Sequence, residues 1–116
     1  MDICFEGIGQ MVATFAAKEN LAPGMAVTLK ESGTVGLGGG NSPLCGVTVG
    51  AARGGAVAVQ IGGIVKVGYS DSTEPTVGYA ALACDDKGQV TTGGGDGVNC
   101  LVLAVDKDEK TVAVKL

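Results

Sequence analysis

Four cysteines, two acidic clusters, one glycine run and one turn lysine are the residues here whose types could do chemistry. Cys4, Cys45, Cys84 and Cys100 are scattered, with no C-x-x-C pair, and the chain has no histidine. A zinc site would need all four thiolates gathered from distant strands. The residues instead suit small thiols kept reduced and metal-free in a reducing compartment. A disulfide between Cys45 and Cys100 stays open. Without histidine, nucleophilic triads of the common kind are excluded. Asp85-Asp86 and Asp106-x-Asp108-Glu109 are acidic, but neither continues into a twelve-residue calcium loop ending in Glu. Every Asp and Glu falls in the N-terminal segment or an expected turn, where nothing apolar would raise its pKa for acid/base work. Gly36-Leu37-Gly38-Gly39-Gly40 looks like a phosphate loop, yet Asn41-Ser42-Pro43 and an expected strand follow it rather than a helix. No catalytic residue, metal or cofactor is expected, and the chain reads as a non-enzyme.

The elements that hold these residues are short strands. Val57, Val59 and Ile61 alternate with Ala56, Ala58 and Gln60, the period-2 pattern of a half-buried strand. Similar runs are expected at 11–15, 25–29, 34–37, 44–49, 64–69, 80–84, 89–92, 100–105 and 111–116. Pro23-Gly24, Glu31-Ser32-Gly33, Arg53-Gly54-Gly55, Asp85–Gly88 and Lys107-Asp108-Glu109 supply turns. Gly38–Pro43 reads as a flexible loop and Ser70–Thr76 as a polar surface loop. Nine or ten short strands at this spacing predict an all-β barrel or sandwich.

The chain also repeats itself. Shifted by 55 positions, Met25–Ile61 lies on Ala80–Leu116 without a gap, with 11 identities in 37 residues. Chance in a chain this rich in Gly, Ala and Val would give roughly 4. Ala26/Ala81, Gly33/Gly88, Val35/Val90, Cys45/Cys100 and Val47/Val102 are among the matches. The expected layout is one domain with an internal pseudo-twofold repeat. Residues 1–20 form an arm and a first strand, 25–61 the first copy, 62–79 a bridge and 80–116 the second copy.

Composition narrows the partners. Two Phe, two Tyr and no Trp leave Ala, Val and Leu to fill a thin core. Such a chain gains by burying surface against another subunit. The net charge is −4 and the eight basic residues are dispersed, so direct nucleic-acid binding is not expected. Met1–Gln10 carries Asp2 and Glu6 and no basic segment, unlike a signal peptide. No apolar run reaches the roughly 20 residues of a membrane span, so no membrane partner is expected.

Several motifs, in this order, resemble one known family. They are Leu21-Ala22-Pro23-Gly24-Met25-Ala26-Val27, Leu44-Cys45-Gly46-Val47-Thr48-Val49 and the run from Ala56 to Val67, AVAVQIGGIVKV. Pro75-Thr76-Val77-Gly78-Tyr79 and the closing Leu101–Leu116 complete the set. The chain is similar to the head decoration, or capsid cement, proteins of tailed phages and prophages. That resemblance implies a β-barrel-like protein without catalytic residues, bound to the outside of a capsid and clamping its subunits. It implies the major capsid protein as partner and the virion surface as location, with bacterial cytoplasm before assembly. A homo-oligomer, a trimer above all, would match the threefold positions of a shell. Met1–Gln10 departs from the family pattern. Its Ile3, Phe5 and Ile8 are the candidate capsid contacts, although the same three could simply cover the barrel end. A small cytosolic ligand-binding barrel or carrier domain is the alternative. The carrier version needs a lysine at a hairpin tip, for which Lys107 is the nearest candidate. The ligand version needs a deep apolar pocket.

Overall fold

A computed structural model of the chain describes residues 10–39, 42–70, 74–92 and 97–116. Ile3, Phe5 and Ile8 lie outside the described residues, as does Cys4. Among the described residues there are eleven strands and no helix. The all-β expectation therefore holds, with one strand more than the alternation showed.

The first five principal strands close on themselves. They are β1 (Met11–Ala17), β2 (Ala26–Glu31), β3 (Thr34–Gly36), β5 (Gly46–Thr48) and β6 (Ala56–Gly62), joined in the order β1-β3-β2-β5-β6. Closure needs β6 to meet β1 antiparallel and β1 to meet β3 parallel through Ala16–Thr34 and Ala17–Val35. A barrel of so few strands has a narrow interior. Val27, Val35, Val57 and Val59 fill it, at most 2 % exposed, with Ala17 and Leu21 beside them. Phe15, paired with Val57, packs partly buried against the same cluster. Thr48 secures one end. Its hydroxyl donates to the Ala22 carbonyl at 2.6 Å and accepts from the Met25 amide at 2.9 Å.

Gly63 carries the chain out of the barrel into a second sheet. It contains β7 (Ile64–Gly68), β8 (Gly78–Cys84), β9 (Val90–Thr92), β10 (Val98–Asp106) and β11 (Thr111–Lys115). Its pairings repeat those of the barrel. β8 meets β9 and β10, β10 meets β11, and β11 meets β7, just as β2 meets β3 and β5, β5 meets β6, and β6 meets β1. The segment 62–79 between the two matched stretches thus supplies β7, which stands where β1 stands in the barrel. The parallel closing contact returns as a single bridge, Tyr69–Val90. Turn geometry repeats too. Gly33 and Gly88 have φ of 68° and 76°. The Gly55 carbonyl accepts from Ala17 and the Lys110 carbonyl from Tyr69, with φ of 79° and 56° at those acceptors.

Two registers on β10 depart from the repeat: Val102 pairs with Val114 where Val47 pairs with Gln60, a step of one, and β8 slides further. Ala26 pairs with Val47, but Ala81 pairs with Asn99 rather than Val102, a slide of three residues. The longer β8 and β10, and a bulge between Val102 and Ala104, accommodate it.

The loop expected at Gly38–Pro43 is not wholly irregular. Ser42–Pro43 forms a short strand, β4, that crosses from the barrel to pair with Cys84 and Ala83 of β8. Gly38 donates its amide to the Asp85 carbonyl at 3.1 Å and lies against Cys84. A Cβ at Gly38 would collide with the Cys84 carbonyl oxygen. Ala26 donates to the Gly88 carbonyl at 2.9 Å, a second tie between the halves. Ala26, Leu44 and Val47 of the first half share a cluster with Leu82, Cys84, Val102 and Val114 of the second.

The crossing predicts a contrast between adjacent glycines. Gly38→Ala should cost about 2 kcal/mol or more, since backbone must move to admit the methyl group. Gly39→Ala, with open space around its Cβ, should stay within about 0.5 kcal/mol. Urea unfolding followed by circular dichroism measures both; equal midpoints would remove the crossing as a point of tight fit.

Candidate interaction surface

The residues singled out for chemistry are mostly occupied by the fold. Asp85 Oδ1 accepts from the amides of Lys87 and Gln89, both at 2.9 Å. Asp106 Oδ1 accepts from the amides of Asp108 and Glu109 at 3.0 and 3.2 Å. Each aspartate therefore braces its own turn by an Asx-type contact. Glu31 pairs with Lys18 at 2.6 Å on an exposed edge. Among the described residues no three His, Cys, Asp or Glu side chains gather as a metal would need. Within the glycine run, Gly38 lies against Cys84 of β8, next to the pairing of β4 with β8.

Cys45, Cys84 and Cys100 are free thiols. Cys45 packs on the barrel interior cluster, whereas Cys100 belongs to the cluster under the second sheet, and no bridge joins them. Burial pushes all three thiols up, because it disfavours the thiolate. Cys84 rises furthest, to about 11, with the neighbouring Asp85 carboxylate adding to the effect of burial. Such thiols are poor nucleophiles at neutral pH.

Lys107 does sit at the tip of the β10–β11 hairpin. Its ammonium lies 3.6 Å from Glu74, and Asp106 and Asp108 flank it. Beside it a depression of about 380 Å³ is lined by Glu74, Pro75, Thr76, Val77, Val105 and Lys107. It lies at the surface, away from the valines that fill the barrel.

The feature that sequence reading did not single out is an exposed face. On the second sheet, alternation sends Val65, Val67, Val112, Val114, Cys100, Val102, Ala80 and Leu82 inward to the core cluster. The other parity faces outward. Pairings place Tyr79 beside Leu101, Leu101 beside Lys115, and Lys115 beside Ile64. These four side chains form one row across β8, β10, β11 and β7. Tyr79 is 75 % exposed, and Val77, two residues earlier, is 68 % exposed. In a chain with four aromatic residues, one is spent on solvent.

The raised thiol gives a pH prediction. The folded chain keeps the Cys84 proton between the ordinary value of 9.0 and about 11, where the unfolded chain loses it. Its contribution to stability is full below pH 9 and disappears as pH rises to about 11. Cys84→Ala should therefore flatten the fall in unfolding midpoint across that window relative to wild type. An identical slope in both proteins would refute the assignment.

Comparison with protein-family models and with curated proteins finds no match. Among solved structures, the fold is similar to a chain in "The capsid of Myoviridae Phage XM1". The TM-score is 0.68 at 15 % sequence identity, over 95 % of this chain and 84 % of that one. At so low an identity the likeness is one of fold, and it extends over nearly the whole chain, both halves included.

Proposed function

We propose that the chain is a head decoration protein of a phage or prophage, bound to the outer surface of the capsid and stabilising the shell. The observation that carries this reading is the fold it shares, across 95 % of its length, with a chain of a solved phage capsid. The motifs along the sequence agree with it. So does the chemistry: the barrel interior is filled by valines, Cys84 and Cys100 are buried and Cys45 half-buried, and Asp85 and Asp106 are engaged in their own turns. The mechanism is binding free energy alone, without catalysis. A ligand that binds the assembled shell and not its dissociated subunits stabilises the shell by mass action. The partner is the major capsid protein, and the chain acts as a homotrimer on threefold positions of the lattice. Ile3, Phe5 and Ile8 add contacts from the N-terminal segment. The protein is made in the bacterial cytoplasm and resides on the virion.

Co-sedimentation with empty shells assembled from the capsid gene of the same genome tests this. The chain should pellet with shells, saturate at a fixed ratio, and raise the temperature at which shells fall apart. Failure to pellet at tens of micromolar overturns the reading. Light scattering of the free protein should give three times the chain mass; a monomer removes the trimer. Deleting residues 1–9 should weaken shell binding without shifting the unfolding midpoint. Equal binding would discard Ile3, Phe5 and Ile8 as contacts.

A further inference from the structure

We propose that the outer face of the second sheet, centred on Tyr79, is the surface that docks on the shell, and that it meets an acidic patch there. This inference rests on the capsid reading above and adds which face binds and what it binds.

The argument begins with parity. Outward positions on β7 and β11 are Ile64, Lys66, Thr111, Ala113 and Lys115, fixed by their pairing and by the burial of the alternate residues. On β8 and β10 they include Tyr79, Ala81, Asn99 and Leu101. The row across this face runs Tyr79, Leu101, Lys115, Ile64, with Tyr79 and Lys115 exposed and Leu101 and Ile64 half-buried. A broad face with a projecting aromatic is the usual form of a binding hot spot.

Charge selects the partner. The chain as a whole carries four more acidic than basic residues. This face inverts the balance: Lys66 and Lys115 are exposed on it. Its carboxylate, Asp106 at the far end of β10, is turned into its own hairpin. Lys115 within the row and Lys66 beside it, next to the exposed Tyr79, complement a protein surface with acidic groups around an apolar pocket. They disfavour a face-to-face pair of identical chains, which would bring four ammonium groups together. Two lysines also fall short of the concentrated charge that nucleic acid requires.

The test measures affinity for the same empty shells. Tyr79→Ser should weaken binding at least about tenfold. Lys66→Glu with Lys115→Glu should weaken it about as much. Wild-type binding should fall with added salt, and the reversed pair should lose that dependence. All three side chains are exposed, so the unfolding midpoint checks that the variants fold. Leu29→Ser, 54 % exposed on the barrel, should bind like wild type. If wild type binds and both face variants bind equally well, this inference falls and the capsid reading stands. If wild type does not bind shells, both fall. Salt-independent binding by wild type overturns the acidic partner. Duplex DNA bound by wild type and released by the charge reversal assigns the face to nucleic acid and overturns the inference.

Discussion

The structure depends on one close crossing. Between β3 and β5 the chain leaves the barrel, lays Gly38 against Cys84 and pairs Ser42–Pro43 with β8. Backbone can approach backbone this tightly because the crossing residue lacks a Cβ. The consequence is that two similar β-units become one body. Leu44 and Val47, on either side of β5's start, then reach the cluster under the second sheet. A fully buried valine is worth about 1.5 kcal/mol or more relative to exposure, so a shared cluster matters in a core this poor in aromatics. Remove the crossing, and each unit keeps a set of valines too few to stand alone.

Most strands were legible because this core is built from valine. Alternation of Val57 and Val59, or Val112 and Val114, with small residues marks a half-buried strand whatever the tertiary partner. The repeat was legible for the same reason, and the paired turns Gly33 and Gly88 carry it in their backbone angles. β4 was not legible. Ser42-Pro43 follows a glycine run, proline has no amide hydrogen to donate to a ladder, and its partner lies some forty residues on. Only tertiary contact makes it a strand.

The candidate surface was half legible. Lys66 between Val65 and Val67, and Lys115 after Val114, announce an outward parity. Nothing in Gly78-Tyr79-Ala80 says that Tyr79 points away from the core. That follows from the register of β8 on β10, which slides by three residues from its counterpart in the barrel. The contacts expected at Ile3, Phe5 and Ile8 lie outside the described residues. Chemistry was legible by elimination. Without histidine, the groups left were carboxylates in turns and thiols among valines, and the structure uses them there.

The two halves diverge where their partners differ. Ala26 and Ala81 are matched and identical, yet Ala26 is wholly buried and Ala81 exposed. Gly46 and Gln60 match Leu101 and Lys115. In the barrel both positions are buried but on opposite faces: Gly46 pairs with Val27 of the interior, and Gln60, 5 % exposed, pairs with Val47 on the outer side. The Gln60 amide donates to the Gly62 and Ile64 carbonyls. In the second sheet the same positions carry Leu101 and Lys115, paired on one outward face, the leucine half-buried and the lysine exposed. The barrel buries part of its outer side against the other unit, where Ala26, Leu44 and Val47 join the shared cluster. A tyrosine that is 75 % exposed, in one paired row with an exposed lysine, is what a face kept for an external partner would carry.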